Sequence, residues 1–321
     1  MKEIPLVSVV NPVKNGEEFL DEVLKSTLLQ QTNFPYEVIV IDSGSRNDSL
    51  EIIKNHDVRL IQIPPHKFNH GLTRNLGVQE SQGQFIAFLT QDATPVNNVW
   101  LQNLVSPLIE DSQVAGVFGK HIARTNCDPI VAINLQNHFD LTISMGKKCW
   151  QKDEGFSNNK GLYVFFSNNN SCIRKTVWQQ IPFREVEMSE DQLWAQDILE
   201  NGYLKCYEPN AVVYHSHTYS PIEWFQRQFD EYRAYKKMEL VENVSVQNFI
   251  KNFVFLSVDD INKIINLTNL SLKQKIYWAF QRTLNNLGIT SGQFFGVRYN
   301  IIPNLINKKL MSQQSRNMES K

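Results

Sequence analysis

Two carboxylates follow apolar runs early in the chain, where their type and position could serve a ligand. Asp42 comes directly after the run Val38–Ile41. Asp92 follows the run Phe85–Leu89 by three residues. Such runs are typical of strands buried on both faces of a parallel sheet, and ligands bind beyond the carboxyl ends of these strands. We therefore expect both carboxylates at one ligand-binding edge, although Asp92 taken alone could simply start a turn before Pro95.

The sequence contains no glycine-rich phosphate loop of the GxGxxG or Walker A type, so the phosphates of a bound nucleotide would need another partner. A divalent cation held by Asp92 could provide it, because Mg²⁺ and Mn²⁺ sites commonly combine one or two carboxylates with phosphate oxygens. Arg74 could add a guanidinium for the same diphosphate.

Glu190 and Asp191 stand at the start of a predicted helix that runs to Glu200. The helix dipole stabilises acidic residues at this position, which can explain Asp191 without any catalytic role. The same dipole keeps a carboxylate ionised, as a general base requires, and such a base is commonly worth about 10²–10⁴ in rate. His215 and His217, near a later strand end, are candidates for metal ligands or for polar groups packed at that end.

Strand-like and helix-like segments alternate over the first 118 residues. The strand-like segments are Leu6–Val10, Glu37–Ile41, Val58–Ile63, Phe85–Leu89 and Val114–Phe118. The first helix is expected to begin at an Asn15 cap with Glu18 three residues on. This alternation predicts an α/β fold with a mostly parallel central sheet flanked by helices.

The second half of the chain has weaker signals. Two short strands are expected at Leu204–Tyr207 and Ala211–His215, and the periodicity from Pro221 to about Leu287 is mainly helical. The polar segment 311–321 is predicted to be disordered.

The composition is that of an ordinary globular protein, with 42% hydrophobic and 20% charged residues among 321. The N-terminus has no signal-peptide pattern and no apolar run approaches the roughly 18 residues of a membrane span, so a cytoplasmic location is expected. Four widely spaced cysteines, at positions 127, 149, 172 and 206, predict free thiols and neither a disulfide framework nor a structural metal site.

The charge is unevenly distributed. Residues 221–321 carry 14 Lys and Arg against 8 Asp and Glu. This excess could bring the C-terminal third to an anionic surface, such as the inner face of a membrane, or could lie on ordinary solvated helix faces. Nucleic-acid binding is poorly supported, because the charges do not cluster and the aromatic residues recur at the helical spacing typical of a core.

Five segments in order carry a resemblance to a known family. They are VSVVNPVKN at 7–15, VIVIDSGS at 38–45, RNLG at 74–77, FIAFLTQD at 85–92 and ED at 190–191. Together they resemble family 2 glycosyltransferases of the GT-A fold over most of residues 5–220. The segments FNHGLTRN at 68–75, TQDA at 90–93 and YHSH at 214–217 resemble the bacterial rhamnosyltransferase branch of that family.

The resemblance implies roles for single residues. Asp191 would be the catalytic base, with Glu190 as an acceptor contact or structural neighbour and Trp194 as a wall for a sugar ring or a core residue. Residues implied in binding the donor nucleotide are Pro12, Asn15, Asp42, Ser43, Arg74, Gln91 and Asp92.

The resemblance also implies a divalent cation, Mg²⁺ or Mn²⁺, at the last Asp of a DxD motif, which matches Asp92. This chain departs from the motif because Thr90 occupies the first position. Asp92 would then hold the metal with help from His215 or His217, or the dependence on metal would be weak.

The resulting prediction is a cytoplasmic inverting glycosyltransferase that moves a sugar, L-rhamnose from dTDP-rhamnose, to a surface polysaccharide or lipid-linked acceptor. The alternatives are a hexosyl- or N-acetylhexosaminyltransferase that uses a UDP-sugar, and a non-catalytic nucleotide-binding protein of the same fold. A glycoside hydrolase fits less well, since no residue is marked as its acid partner. No nucleic-acid partner is expected, whereas peripheral association with the inner membrane is.

The predicted organisation has three parts. Residues 1–220 form the catalytic domain, with a nucleotide-binding half at about 1–118 and an acceptor-binding half at about 119–220. Residues 221–310 form a helical C-terminal extension, and 311–321 form the tail.

Overall fold

The computed structural model describes residues 3–144, 148–237 and 241–312. The strands of this part of the chain form one sheet. They are β1 (Val7–Val13), β2 (Tyr36–Asp42), β3 (Arg59–Gln62), β4 (Phe85–Leu89), β5 (Thr94–Pro95), β6 (Val114–Ile122), β7 (Cys149–Trp150), β8 (Asn170–Arg174) and β9 (Leu204–Tyr214).

The helices alternate with these strands and then follow them. They are α1 (Leu20–Leu28), α2 (Ser49–Lys54), α3 (His70–Glu80), α4 (Trp100–Glu110), α5 (Pro129–Ser144), α6 (Lys160–Val164), α7 (Lys175–Trp178), α8 (Glu190–Glu200), α9 (Pro221–Lys237), α10 (Val246–Asn266), α11 (Leu272–Gly296) and α12 (Asn304–Leu310). Short 3-10 helices lie at Pro65–Lys67 and Tyr299–Ile301.

The strand order is β3-β2-β1-β4-β8-β6-β9-β5, with β7 paired to β9. The pairs among β3, β2, β1 and β4 are parallel, as is the pair of β6 with β9. Strand β8 runs antiparallel between β4 and β6. The predicted fold, a mostly parallel sheet flanked by helices with a helical C-terminal part, is confirmed.

Strand β4 shows why the sheet is buried on both faces. All five of its residues are buried. Ile86 and Phe88 belong to one apolar cluster, whereas Ala87 and Leu89 belong to another that includes Trp100 of α4. Because successive side chains of a strand point to opposite faces, helices must cover both sides. Each large side chain buried in this way contributes about 1.5–3 kcal/mol.

The chain divides into two compact units. The first consists of Met1–Arg124, Leu135–Val186 and Glu190–Ser216, and the second of Thr125–Asn134, Glu187–Ser189 and His217–Lys321. The first unit contains the sheet, and the second contains α9 to α12. The proposed halves within 1–220 stay predictions, and the predicted disordered tail lies outside the described residues from 313 onward.

The second unit is built on helix α11, which approaches α9 through glycines. A Cβ added to Gly288 would lie 2.2 Å from the carbonyl oxygen of Pro221, and one on Gly292 would lie 2.4 Å from that of Phe225. On another side of α11, Arg282 is buried and donates to Asp260 at 3.0 Å and to Asp128 at 3.2 Å. Helix α11 therefore contacts α9 through close backbone packing, and it contacts α10 through a buried ion pair.

Two predictions about local structure were wrong. Helix α1 begins at Leu20, because Asn15 has a left-handed φ of 52° and its amide donates to Ser45 Oγ at 2.9 Å. The two strands expected at 204–215 are one strand, β9, whose pairing with β6 shifts register at Gly119. A register shift of this kind leaves residues unpaired within a continuous strand, which explains the interrupted apolar pattern.

The prediction of free thiols was wrong for one pair. Cys149 and Cys206 form a disulfide, whereas Cys127 and Cys172 are free. The bonded residues lie directly opposite each other on the antiparallel strands β7 and β9. The two cysteines are 57 residues apart in the sequence, so no local pattern indicates their contact, which depends on the pairing of β7 with β9.

Among the described residues, no helix is both long enough and apolar enough to cross a membrane.

Candidate active site

Strand ends bring the predicted site residues to one edge of the sheet. Val13 pairs with Asp42 where the parallel strands β1 and β2 end. Strand β4 ends at the same edge, since it is parallel to β1. Asn170 pairs with Leu89 at the start of the antiparallel strand β8, so the residues just before Asn170 also reach this edge. The shared edge predicted for Asp42 and Asp92 is therefore present.

Asp42 shapes the loop that follows β2. Its buried carboxylate accepts hydrogen bonds from the amides of Gly44, at 2.9 Å, and Ser45, at 3.2 Å. Ser43 donates through its amide, at 2.9 Å, and through its hydroxyl, at 3.1 Å, to the carbonyl oxygen of Val13. The loop is therefore tied to the end of β1.

The loop after β1 is held in the same way. Asn15 Oδ1 accepts from the amide of Arg46 at 2.9 Å, and Gly16 donates its amide to Ser49 Oγ at 2.8 Å. Pro12 is half-buried beside this loop. Four residues predicted to bind the donor nucleotide thus lie at two adjacent strand ends, Pro12 and Asp42, and in the joined loops that follow them, Asn15 and Ser43.

Gln91 fastens a third loop to the first two. Its side-chain oxygen accepts from the amide of Lys14 at 2.7 Å, and its side-chain nitrogen donates to the Lys14 carbonyl oxygen at 3.2 Å. Gly16 lies close to this contact, because an added Cβ would lie 2.8 Å from Gln91 Oε1 and would displace the Gln91 side chain. Gln91 therefore uses its amide to position the loop after β1.

Asp92 lies beside histidine at the end of β9. Its Oδ1 is 3.7 Å from Nε2 of His215. His217 follows His215 by two residues. The possible metal-ligand atoms of Asp92, His215 and His217 all lie within 4.8 Å of one another. The hydroxyl oxygen of Thr90 is shielded from solvent and has no hydrogen-bond partner among the described residues. One carboxylate and two imidazoles are a donor set that fits a divalent transition metal.

Asp191 lies in the first turn of α8 and is partly buried. Its Oδ2 accepts from the amide of Asn168 at 3.1 Å, and its Oδ1 accepts from the amide of Gln192 at 2.8 Å. Ser189, just before the helix, has a left-handed φ of 63°. Such a conformation is costly for serine and is found where the surrounding structure requires it, often at functional sites.

The pKa values of the two neighbouring acids of α8 are shifted in opposite directions. Burial, and then the negative charge of Glu190, raise the pKa of Asp191 to about 7. Burial also opposes the ionisation of Glu190, but the positive charge of Arg74 holds the pKa of Glu190 below its ordinary value. Glu190 is therefore the ionised partner of Arg74, and Asp191 can gain or lose a proton near neutral pH.

Arg74 is buried and engaged with protein groups. Its Nη1 lies 2.9 Å from Glu190 Oε1, and the exposed fraction of each side chain is 6%. The same nitrogen donates to the carbonyl oxygen of His70 at 3.2 Å, and the guanidinium lies 6.0 Å from the ring centre of Phe88. The ion pair with Glu190 places the Arg74 guanidinium at the start of α8, where it orients the Glu190 carboxylate.

Other residues of α3 hold the segment that leads into α8. Asn69 caps the helix with its side-chain oxygen and donates its side-chain nitrogen to the carbonyl oxygen of Val186 at 2.8 Å. Asn75 donates to the carbonyl oxygen of Phe183 at 2.8 Å. Gly71 permits a close approach, since an added Cβ would lie 2.1 Å from the Arg184 carbonyl oxygen. The FNHGLTRN segment thus positions the chain that carries Glu190 and Asp191.

Trp194 lies in the core of the first unit. It has no exposed surface, and its indole nitrogen donates to the carbonyl oxygen of Ile181 at 2.8 Å. Its ring packs against Phe166 and Phe183. Of the two roles open from the sequence, a sugar wall or a core residue, the structure places it in the core position, where it supports α8.

Asn168 is a residue that the sequence analysis missed. Its amide donates to Asp191, and its side-chain nitrogen lies 3.3 Å from Glu190 Oε1. Its side-chain oxygen accepts from Ser171 Oγ at 2.9 Å. Asn168 therefore contacts both acids at once. The run of three asparagines at 168–170, just before a strand, was its only sequence signal.

Lys205 was missed as well. It is fully buried, and its ammonium donates to the carbonyl oxygens of Leu162, at 3.2 Å, Tyr163, at 2.6 Å, and Phe165, at 2.8 Å. Burial lowers the pKa of Lys205 to about 7. Three carbonyl acceptors require all three protons of the ammonium, so Lys205 in its charged form holds the segment that leads to Asn168.

Comparison with known proteins adds the family. Residues 8–167 match the family described as glycosyl transferase family 2. The chain is 32% identical over 229 residues to the O-antigen chain rhamnosyltransferase RfbN of Salmonella typhimurium, a region that covers 70% of both chains. The chain belongs to glycosyltransferase family 2. The predicted enzyme class, a glycosyltransferase, is thereby confirmed.

A second relative of this family 2 glycosyltransferase is the O-antigen chain rhamnosyltransferase WbaN of Salmonella anatum. The two are 34% identical over 206 residues, which span 63% of each chain. Among solved structures, the mannosyltransferase PcManGT from Pyrobaculum calidifontis, in complex with GDP-Man and Mn²⁺, is similar with a TM-score of 0.60 and 16% identity. That similarity covers 94% of this chain and 88% of the other, and it supports the GT-A fold.

The raised pKa of Asp191 predicts the pH dependence of this family 2 glycosyltransferase. If Asp191 is the base, kcat/KM should rise with pH through about 7, because only the ionised carboxylate accepts a proton. Replacing Glu190 with Gln removes a neighbouring negative charge, so the midpoint of the pH–rate profile should shift to a pH about one unit lower. The measurement is a pH–rate profile of both proteins. A flat profile, or an upward shift in Glu190→Gln, would contradict this assignment.

Proposed function

We propose that this glycosyltransferase moves L-rhamnose from dTDP-rhamnose, with inversion, to a hydroxyl group of a surface polysaccharide or lipid-linked acceptor. The observation that carries the proposal is Asp191 at the ligand-binding edge, partly buried and held by the amide of Asn168. The choice of rhamnose is supported by the names of the relatives RfbN and WbaN.

The proposed reaction is a single displacement. The acceptor hydroxyl oxygen attacks the anomeric carbon of the donor sugar, and Asp191 takes the proton from that hydroxyl. The bond between the anomeric carbon and the nucleoside diphosphate breaks as the new glycosidic bond forms, and the electron pair leaves with the diphosphate. Burial, together with the negative charge that Arg74 maintains on Glu190, keeps the pKa of Asp191 at about 7.

We propose Asp92, His215 and His217 as the ligands of a divalent cation. The solved structure of PcManGT is a complex with GDP-Man and Mn²⁺, which supports a metal in this fold. Imidazole ligands favour Mn²⁺ over Mg²⁺. When bound, the cation would supply positive charge for the leaving diphosphate, and the two histidines would act as ligands where Thr90 does not provide the second carboxylate.

A donor screen tests this proposal. Of dTDP-rhamnose, UDP-glucose, UDP-galactose and GDP-mannose, dTDP-rhamnose should raise the melting temperature most, because a ligand that binds the folded state stabilises it. The enzyme should also hydrolyse dTDP-rhamnose slowly. Mn²⁺ should increase both effects, and Asp92→Ala should remove the increase. The measurements are thermal shift and nucleoside diphosphate release, with and without a chelator.

The other outcomes of this screen distinguish the alternatives. Preference for UDP-glucose or UDP-galactose would favour a UDP-sugar hexosyltransferase and contradict the assignment of rhamnose. Stabilisation without any hydrolysis or transfer would favour a non-catalytic nucleotide-binding protein. Unchanged activity in a chelator and in Asp92→Ala would mean that protein groups alone stabilise the diphosphate.

The location and the partners of the enzyme belong to the same proposal. A cytoplasmic location would give it access to nucleotide sugars. Association with the inner face of the membrane would bring it to lipid-linked acceptors. The division of 1–220 into nucleotide-binding and acceptor-binding halves stays a prediction.

A further inference from the structure

Helices α10 and α11 expose an unusual number of apolar side chains. At helical spacing, α10 presents Ile250, Val254, Val258 and Ile265, and α11 presents Ile276 and Phe280. The exposed fractions of these six lie between 51% and 66%. We call these residues the α10–α11 apolar face. Contiguous exposed apolar surface on a folded protein commonly marks a site of protein or membrane interaction.

The two helices run antiparallel and present their apolar residues on one side. Asp260 of α10 accepts from Arg282 and Asn286 of α11, and Phe249 contacts Phe294 at a ring distance of 5.4 Å. At about 100° per residue, the apolar positions of each helix lie about 120° around the axis from the positions that form the buried contact of Asp260 with Arg282 and Asn286. In both helices the rotation from the contact to the apolar residues has the same direction when each helix is viewed from its N-terminus. Because the helices are antiparallel, the apolar residues of α10 and those of α11 therefore lie on the same side of the pair.

The charges around this face are positive. Residues 246–311 contain eight Lys and Arg but only two acids, Asp259 and Asp260. Asp260 is buried against Arg282, and Asp259 pairs with Lys263 at 2.7 Å. Exposed Lys251 and Lys273 lie at the edges of the apolar face, about 20° around the helix axis beyond its apolar residues. Lysine side chains beside an apolar stripe can extend their charges to lipid headgroups while their stems stay in apolar surroundings.

We propose that the α10–α11 apolar face docks on an anionic lipid surface. Helices that lie in the membrane interface combine an apolar stripe with lysine at its edges and gain affinity from both. Each lysine near an anionic surface adds attraction. A second copy of the chain fits less well, because it would bring two positive faces together. This inference rests on the membrane association in the proposed function and assigns a surface to it, but it does not depend on the identity of the donor sugar.

Vesicle sedimentation tests the proposal with the full chain. The protein should sediment with vesicles of phosphatidylcholine and phosphatidylglycerol in equal parts, and more weakly with phosphatidylcholine alone. The double variant Val254→Gln and Phe280→Gln should lower the partition coefficient at least about tenfold, since both side chains lose their apolar transfer energy. The double variant Lys251→Gln and Lys273→Gln should weaken binding mainly to the anionic vesicles.

Leu29→Gln is the matched control, because Leu29 lies in the first unit and is 71% exposed. It should bind vesicles as the wild type does. No sedimentation of the wild type with anionic vesicles, or an equal loss in Leu29→Gln, would overturn the proposal. A wild-type dimer that dissociates in Val254→Gln and Phe280→Gln would assign the face to a second copy. Every variant should retain transfer to a soluble acceptor, so failure here would remove the proposed membrane association and leave the proposed transfer reaction intact.

Discussion

Replacing Asp191 with Asn should lower the kcat of sugar transfer by about 10²–10⁴-fold, because asparagine cannot accept the acceptor proton. The substitution keeps the size of the side chain and one of its two oxygen acceptors, so it retains a hydrogen bond from the amide of Asn168 or of Gln192. Binding of the donor should therefore be unchanged. The measurements are initial rates of transfer at saturating substrates and the dissociation constant of the donor, obtained from thermal stabilisation.

Stability provides an independent check on this variant. A carboxyl whose pKa rises from 3.8 to about 7 on folding stabilises the fold below its unfolded pKa and loses that contribution as the pH passes through about 7. Asp191→Asn should therefore melt at the same temperature as the wild type, or higher, at about pH 8. Glu200→Gln, an exposed change at the other end of α8, serves as a control for both measurements. Full transfer activity in Asp191→Asn would end the assignment of the base.

Replacing Arg74 with Met should lower the free energy of unfolding by about 3–5 kcal/mol, because it leaves the buried carboxylate of Glu190 without its counter-charge. The two groups lie 2.9 Å apart and are almost inaccessible to solvent. Adding Glu190→Gln to Arg74→Met should recover much of the loss, since it removes the uncompensated charge. Urea unfolding of the single and double variants measures this coupling.

An exposed ion pair provides the matched control. Arg59 pairs with Glu80, and the exposed fractions of the two side chains are 44% and 41%. Arg59→Met should therefore change stability by only about 0–1 kcal/mol. The test also separates two roles of Arg74. If Arg74 mainly bound the donor diphosphate, Arg74→Met would raise the KM for the donor while stability stayed near that of the wild type, and Glu190→Gln would restore nothing.

The sequence by itself determined the framework of the site. Apolar runs without alternation predicted β2 and β4, and polar residues directly after these runs predicted Asp42 and Asp92 at one edge. These predictions succeeded because a strand buried on both faces needs a local apolar pattern, and parallel strands must end at the same edge. The order of motifs, with Asp191 near the start of a helix, also came from local signals.

Only the tertiary structure decided which groups meet at that edge. The pairing of Arg74 with Glu190, the contact of Asn168 with Asp191, and the disulfide between Cys149 and Cys206 all join residues that are distant in sequence or lie on separate elements. Strand β8 enters the sheet antiparallel between β4 and β6 and thereby brings Asn168 to the acids. Local patterns specify which face of an element is buried, whereas the partner of a buried charge depends on how the chain packs over long distances. For that reason the sequence could identify Asp191 as a candidate base, but only the fold could reveal the burial and the neighbouring charges that place its pKa near neutral.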